Sequence, residues 1–122
     1  MSNRTITVVY KWTAKPGQLE ALKGIYDGVT AAMKAQEPGA LEVQVYASED
    51  EYAVYVRDVF ADADALEFHL SETAGPHFPS LLEIATPGAF YFFGDVPAEI
   101  QAAAKGMGLA AEFANQTNSF TR

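Results

Sequence analysis

Four dipeptides of proline and glycine divide this chain of 122 residues, and they limit how long any helix or strand can be. Both residues tend to end regular structure, because proline lacks a backbone N–H and glycine is conformationally free. The four breakers are Pro16-Gly17, Pro38-Gly39, Gly75-Pro76 and Pro87-Gly88. Strands and helices are therefore predicted within the segments between them.

These segments show two patterns of apolar residues. Apolar residues at three- and four-residue steps predict a long helix from Leu19 to Met33 and a second helix from Leu66 to Thr73. Runs of β-branched and aromatic residues predict four strands, at residues 5–13, 40–47, 52–60 and 89–93.

Turn and cap residues connect the predicted elements. The polar tip at residues 48–51 is short enough for a hairpin between the second and third strands. Asp62 is a suitable N-cap for the second helix. Gly75-Pro76 is expected to interrupt that helix before a short helical stripe at residues 78–85, and Pro87-Gly88 is expected to precede the last strand.

The order of elements predicts the fold class. The sequence β-α-β-β-α-β is the split βαβ, or ferredoxin-like, arrangement, an α+β fold with an antiparallel sheet and two main helices on one face. We expect it to span residues 1–95. Residues 96–122 are expected to extend the same domain with a short helix at 100–105 and a strand or arm at 109–114.

Two of the predicted strands are apolar on both faces. Val8 and Tyr10 alternate with Val9, and residues 90–93 are all aromatic. A strand of an antiparallel sheet with one wet face should alternate between apolar and polar residues. The pattern therefore predicts a homodimer through the sheet face that the helices leave bare, unless the C-terminal tail covers that face.

Composition disfavours several classes of function. Eight Lys and Arg against sixteen Asp and Glu give a net charge of −8, which disfavours nucleic acid and anionic membranes as partners. The absence of cysteine excludes disulfides and thiolate chemistry. We see no signal peptide, no membrane-length apolar run and no phosphate-binding or nucleophile-elbow motif, so a cytoplasmic location is expected.

Both histidines lie in one segment, and His69 is the stronger candidate for chemistry. His69 follows Leu66 by three residues and precedes Thr73 by four, so it shares the sheet-facing side of the helix. Imidazoles titrate near neutrality, which suits proton transfer. Asp58 shares a strand face with Val56 and is the expected partner of His69. The alternative is a structural histidine bonded to backbone or to a carboxylate.

Aromatic side chains surround these two candidates. Tyr10 and Trp12 share one face of the first strand, and Phe60, Phe68 and Phe78 flank the histidine-bearing segment. They are candidates for stacking on a planar ligand, although aromatic residues at such spacing also form ordinary core. Two histidines eight residues apart, without carboxylates at ligand spacing, do not predict a metal site.

Together these features resemble the antibiotic biosynthesis monooxygenase family of the dimeric α+β barrel superfamily, over residues 5–93. The resemblance is carried by the order of elements, the turns Lys15-Pro16-Gly17 and Glu37-Pro38-Gly39, and the run from Asp58 to His69. The family usually has Glu-x-Trp where this chain has Asp58-x-Phe60. Its second helix usually continues into a nearby His-Phe, which His77-Phe78 matches after an apparent insertion at residues 72–75.

The resemblance implies a cofactor-independent monooxygenase that oxidises a small phenolic, quinol or anthrone-type substrate with dioxygen. It implies His69 as base or anion partner, Asp58 as its orienter, Tyr10 and Trp12 as pocket walls and His77 as a gate. The expected partners are a second copy of the chain and a small apolar or aromatic molecule.

Two alternatives to this activity stay open. One is a non-catalytic dimeric domain that binds a small molecule or is associated with stress. The other is haem binding and degradation. That branch of the superfamily has an Asn where this chain has Tyr10 and a helix Trp near the position of His69, and both differences disfavour it.

Overall fold

The computed structural model describes residues 4–122 and is built on a five-stranded sheet. Its strands are β1 (Ile6–Ala14), β2 (Ala40–Ser48), β3 (Ala53–Phe60), β4 (Ala85–Phe93) and β5 (Ala110–Ala114). Its helices are α1 (Leu19–Gln36), α2 (Ala63–Phe68), α3 (Gly75–Ile84) and α4 (Ala98–Gly106), and a π-helical segment (His69–Ala74) joins α2 to α3.

The strand order confirms the predicted ferredoxin-like fold. It is β2-β3-β1-β4-β5, with β1 antiparallel to both β3 and β4, β2 antiparallel to β3, and β5 parallel to β4. The helices cover one face of the sheet. None of the helices in the described part of the chain is long and apolar enough to cross a bilayer.

The core lies between the sheet and the helices, as the apolar periodicity predicts. In β1 the alternate residues Ile6, Val8, Tyr10, Trp12 and Ala14 are buried. The buried stripe of α1 faces them and consists of Leu19, Leu22, Tyr26, Val29 and Met33. Alternation in the strand and three- to four-residue steps in the helix therefore bring their apolar sides together.

The second helix is not interrupted at Gly75-Pro76, contrary to the prediction. The chain stays helical from Ala63 to Ile84, because the π-helical segment absorbs the extra residues. The N–H of Gly75 donates to the carbonyl of Leu70, five residues back, and Pro76 follows in the first turn of α3, where a proline is tolerated. The apparent insertion at residues 72–75 falls in this widened turn.

The last strand of the ferredoxin-like unit also begins earlier than predicted. β4 begins at Ala85, so Pro87 and Gly88 lie inside it rather than before it. The pairing register between β1 and β4 shifts between Tyr10 and Trp12, beside this dipeptide. A proline can be accommodated at such an irregularity, because the regular ladder is already broken there.

The C-terminal extension, defined here as residues 96–122, forms α4 and adds β5 at the edge of the sheet. It buries Val96, Ile100, Ala104 and Leu109. All residues from 115 to 122 are exposed.

The described part of the tail therefore does not cover the bare sheet face. On that face Val9 is half-buried, and Tyr91 and Phe93 stack with ring centroids 6.2 Å apart while each stays more than 40% exposed.

Candidate functional site

An apolar cavity of about 40 Å³ lies between the sheet and the helices. β1, β3 and β4 form its floor, α1 and the continuous helix 63–84 form two walls, and the C-terminal extension contributes Met107 and Leu109. The polar side chains that line it are Tyr10, Trp12, Tyr26, Asp58, His69 and His77. The site is therefore a small, mostly apolar space with a few convergent polar groups, as ligand sites commonly are.

His69 is held in one orientation by a buried carboxylate. Its Nδ1 lies 3.1 Å from Oε2 of Glu37, and the hydroxyl of Thr73 donates to the same oxygen at 2.5 Å. All three residues are less than 10% exposed. His69 and Thr73 come from one turn of the π-helical segment, whereas Glu37 comes from the turn after α1, so the contact joins two separate parts of the chain.

The charge state of Glu37 determines which nitrogen of His69 is free. Burial acts to raise the pKa of Glu37, but the hydrogen bonds from His69 and Thr73 outweigh it and leave that pKa below its ordinary value. An ionised carboxylate only accepts hydrogen bonds, so Nδ1 of His69 must donate. Glu37 does not line the cavity, whereas His69 does. In the neutral imidazole, Nε2 is therefore the unprotonated nitrogen and is the one left for a ligand.

Asp58 is a second buried carboxyl in the cavity, in a different environment. It is 2% exposed, its Oδ2 accepts a long hydrogen bond of 3.5 Å from the hydroxyl of Tyr10, and its Oδ1 has no partner among residues 4–122. Burial raises the pKa of Asp58 from 3.8 to about 6, although the nearby His69 acts in the opposite direction. The contrast with Glu37 arises because Asp58 is more deeply surrounded by protein and lacks strong donors.

The two tyrosines in the cavity stay protonated at neutral pH. Burial raises the pKa of Tyr10 and that of Tyr26 well above the ordinary value for a phenol, and the charge of Asp58 adds to the rise in both. Neutral phenols can donate hydrogen bonds, and Tyr10 donates its own to Asp58.

Aromatic rings hold the floor of the cavity in place. Tyr10 stacks on Phe90 with ring centroids 4.5 Å apart, and Trp12 meets Phe78 and Phe90 edge-on at 5.7 and 6.2 Å. The indole N–H of Trp12 is buried and makes no hydrogen bond of normal geometry with residues 4–122, although it lies close enough to the Tyr26 hydroxyl to act to lower the pKa of that phenol. Buried polar groups normally form hydrogen bonds, so this donor and Oδ1 of Asp58 are two unsatisfied polar atoms in one cavity.

Six of the eight residues predicted from sequence line this cavity: Tyr10, Trp12, Asp58, His69, His77 and Phe78. Two do not. Phe60 is fully buried behind His69, with ring centroids 5.0 Å apart, and Phe68 is 45% exposed beside a separate surface groove. Phe60 therefore supports the imidazole, and Phe68 does not reach the cavity. The functional roles of the other six stay predictions.

Asp58 was expected as the partner of His69, but the carboxylate that is hydrogen-bonded to His69 is Glu37. Sequence reasoning missed Glu37 because it treated Glu37-Pro38-Gly39 only as the end of a helix. The sequence did contain a signal for this contact, namely a carboxylate directly before a tight turn in a chain that has only two histidines as possible partners. Among residues 4–122 no group of three or more His, Cys, Asp or Glu could hold a metal ion.

The fold and the cavity together define a class of protein, a ferredoxin-like α+β domain with an aromatic-lined cavity that contains an oriented histidine. The family follows from comparison with known proteins. Residues 5–78 match the family model described as antibiotic biosynthesis monooxygenase. The chain belongs to this family. Its membership supports the interpretation that the protein is a monooxygenase, which is a class of oxidoreductase.

Solved structures show the same fold at low sequence identity. MupZ from Pseudomonas fluorescens superposes with a TM-score of 0.78 at 22% identity, over 98% of this chain and 96% of MupZ. SnoaB from Streptomyces nogalater, described as a cofactor-independent oxygenase, gives 0.63 at 21% identity, over 78% and 96%. Rv0793 from Mycobacterium tuberculosis gives 0.65 at 17% identity, over 76% and 96%. No curated protein sequence matches the chain.

Proposed function

We propose that this protein is a cofactor-independent monooxygenase that oxidises a small phenolic, quinol or anthrone-type substrate with dioxygen, and that His69 is its base. The observation that carries the proposal is the arrangement of His69, whose Nδ1 is bonded to buried Glu37 and whose ring lines an apolar cavity. Family membership and the likeness to a cofactor-independent oxygenase support the same reaction class.

The chemistry begins with proton removal. Nε2 of His69 takes the proton of a substrate hydroxyl, or of the carbon acid that is its tautomer, and Glu37 stabilises the imidazolium that forms. The carbanion or phenolate transfers an electron to dioxygen, and the two radicals join to form a C–O bond. Because the lining is mostly apolar and the cavity holds only a few water molecules, a substrate that fills it would displace the water that competes for the electron-rich anion.

The two atoms of dioxygen then end in different products. The peroxide accepts a proton, and its O–O bond breaks as the carbon loses its remaining hydrogen. For an anthrone-type methylene, one oxygen atom becomes the product carbonyl and the other leaves as water. Dioxygen is thus the four-electron oxidant overall, and the substrate carbon and the two hydrogens it loses supply those electrons.

In this proposal the two unsatisfied polar atoms, the indole nitrogen of Trp12 and Oδ1 of Asp58, orient the substrate by hydrogen bonding to it. The indole N–H of Trp12 offers a hydrogen bond to a substrate oxygen, and Oδ1 of Asp58 accepts one from a substrate hydroxyl or, when protonated, donates one. Aromatic walls formed by Tyr10, Phe78 and Phe90 suit a flat ring. A planar molecule with both a hydroxyl and a second oxygen fits these groups better than a hydrocarbon does.

We also propose that the protein acts as a homodimer through the bare sheet face. Val9, Tyr91 and Phe93 present apolar surface there. A stable interface of ordinary size buries about 800 Å² on each partner, and the exposed rings of Tyr91 and Phe93 would contribute to such an interface. The partner would cover this face while leaving the cavity, on the other side of the sheet, within each chain.

The second candidate is a non-catalytic domain that shelters a small molecule, and the small, mostly apolar cavity favours it. Haem degradation is not supported, because this chain has Tyr10 where the haem-degrading branch has an Asn and His69 near the position of its helix Trp, even though His77 lines the cavity. Binding without oxygen consumption separates the second candidate from the first.

The test is oxygen uptake by the purified protein given anthrone or a naphthoquinol, without added metal or flavin, above the uncatalysed rate. His69→Gln should lower the catalysed rate by about 10²- to 10⁴-fold, the usual contribution of a general base. Glu72→Gln is the matched control, because Glu72 is exposed on the same π-helical segment and should leave the rate unchanged. Full activity in His69→Gln would exclude His69 as the base.

Glu37→Gln tests the positioning role of Glu37 separately. It should lower kcat with little change in KM, because the imidazole loses the carboxylate that orients Nε2 and stabilises the imidazolium in the chemical step. A variant that only loosened the fold would raise KM as well and lower the free energy of unfolding.

A further inference from the structure

The cavity as it stands is too small for any ring-containing substrate. It measures about 40 Å³, whereas an engineered apolar cavity that binds benzene measures about 150 Å³. A few water molecules fit, but a single aromatic ring does not. If the cavity is the substrate site, as the proposed function requires, one of its walls must move to admit the substrate.

Three of the walls are firmly held. β1, β3 and β4 each pair with strands on both sides. α1 runs for 18 residues and buries five side chains against the sheet. The helix 63–84 is fixed at its middle by the contacts of His69 and Thr73 with Glu37. Displacing any of these would expose core or break buried hydrogen bonds.

The fourth wall, from the C-terminal extension, is held least. β5 has five residues and pairs on one side only, with β4, and α4 buries only Ile100 and Ala104. The turn between them carries Met107, which is half-buried, and Leu109, whose side chains reach the cavity. Local opening of such a marginally packed segment has a low free-energy cost.

The residues beside Met107 leave room for this movement. At Gly106 and at Gly108 an added Cβ would meet no atom within 4 Å, so neither glycine is confined by its surroundings. Gly108 has a φ of +83°, a conformation open to glycine and disfavoured for other residues. Methionine is unbranched and adapts its shape to neighbouring groups. Met107 can therefore withdraw without a change in the sheet.

We propose that Met107 and Leu109 are the size-selecting residues of the cavity, and that the C-terminal extension determines how many rings a substrate can have. A small substrate displaces Met107 alone. A larger one also displaces Leu109, which costs more because Leu109 is 9% exposed and part of the core. The substrate class is then a hydroxylated aromatic of one to three fused rings, with the upper limit set by these two side chains.

The test uses binding, so it does not depend on turnover. The chain has one tryptophan, Trp12, which is buried in the cavity wall, so its fluorescence reports occupancy of this cavity alone. Phenol and 2-naphthol are the probes, and calorimetry measures each dissociation constant. The readout is the ratio of the two constants in each protein.

Met107→Ala, and more so Met107→Ala with Leu109→Ala, should shift that ratio in favour of 2-naphthol by about tenfold or more. Each methylene-sized group newly buried contributes about a fourfold gain in affinity. Ile100→Ala is the matched control, because Ile100 anchors the same extension but does not line the cavity. In that variant the ratio should stay at the wild-type value.

Two results would overturn the inference: an unchanged ratio in the Met107 and Leu109 variants, or an equal shift in Ile100→Ala, which would assign the effect to a loosened extension. If neither probe alters Trp12 fluorescence in any of these proteins, the cavity is not a binding site and the inference falls as well. A shifted ratio without oxygen uptake would instead keep size selection and remove only the proposed oxygenase.

Discussion

Asp58→Asn should stabilise the protein at neutral pH and leave it almost unchanged at acidic pH. The carboxyl of Asp58 is 2% exposed and one of its oxygens has no partner within residues 4–122. Asparagine has nearly the same shape and no charge to bury. Removing an uncompensated buried charge should therefore favour the folded state wherever that charge exists.

The magnitude follows from the pKa of Asp58, which burial raises from 3.8 in the unfolded chain to about 6 in the folded protein. Below pH 4 the group is protonated in both states and contributes nothing to pH dependence. Between about pH 4 and pH 6 the unfolded chain gives up this proton first, so the stability of the folded state falls as pH rises. Above pH 6 the loss is complete, at about 3 kcal/mol.

The assay is urea unfolding of both proteins at pH 4 and pH 7, at one fixed protein concentration. Asp58→Asn should exceed wild type by about 3 kcal/mol more at pH 7 than at pH 4, and the slope against urea should be the same in both proteins. Other titrating groups contribute to both proteins alike, so the difference between them isolates Asp58. Equal pH dependence in the two proteins would refute the burial of an uncompensated carboxylate. A stabilised variant with impaired oxygen uptake would show that the charge is retained for function.

Two further predictions concern packing and assembly. Gly39→Ala should lower the free energy of unfolding by about 1–3 kcal/mol, because the new Cβ would lie 2.5 Å from a side-chain carbon of α2. Gly24→Ala, in an open position of α1, should instead raise the free energy of unfolding by about 0.5–1 kcal/mol. Urea unfolding of both variants checks these signs, and a neutral Gly39→Ala would contradict the close approach. Light scattering should give a dimer mass for wild type and a monomer mass for Tyr91→Glu. Leu82→Glu, equally exposed but on the helical side of the protein, should stay dimeric.

Periodicity predicted the secondary structure well where packing follows the local pattern. β1 was expected at residues 5–13 and lies at Ile6–Ala14, and the apolar stripe that begins at Leu19 forms the buried side of α1. Proline and glycine were less informative. At Gly75-Pro76 and Pro87-Gly88 the chain continues through the expected breaks, because a π-helical turn and a register shift absorb them. Both accommodations depend on neighbouring elements, which local sequence does not specify.

Only part of the candidate site could be predicted from the sequence, again because some contacts depend on neighbouring elements. Strand and helix register correctly placed Asp58 and His69 on the side that faces the cavity, since each position follows from counting along one element. The contact of His69 with Glu37 joins residues 32 apart in the sequence. It depends on Gly39, where the turn approaches α2 so closely that a side chain would not fit. The periodicity of residues within one helix or strand does not indicate this close approach between the turn and α2.

Two buried carboxyls near one imidazole thus differ in their hydrogen-bond donors and in how strongly burial opposes their charge. Both lie at or below 4% exposure, yet the pKa of Glu37 is lowered and that of Asp58 is raised. Glu37 receives two hydrogen bonds and keeps its charge, which suits it to hold an imidazolium. Asp58 receives one long bond and ionises near pH 6, which suits it to exchange a proton with a ligand. Environments that separate two acids in this way assign them different tasks, with Glu37 serving His69 and Asp58 serving the ligand.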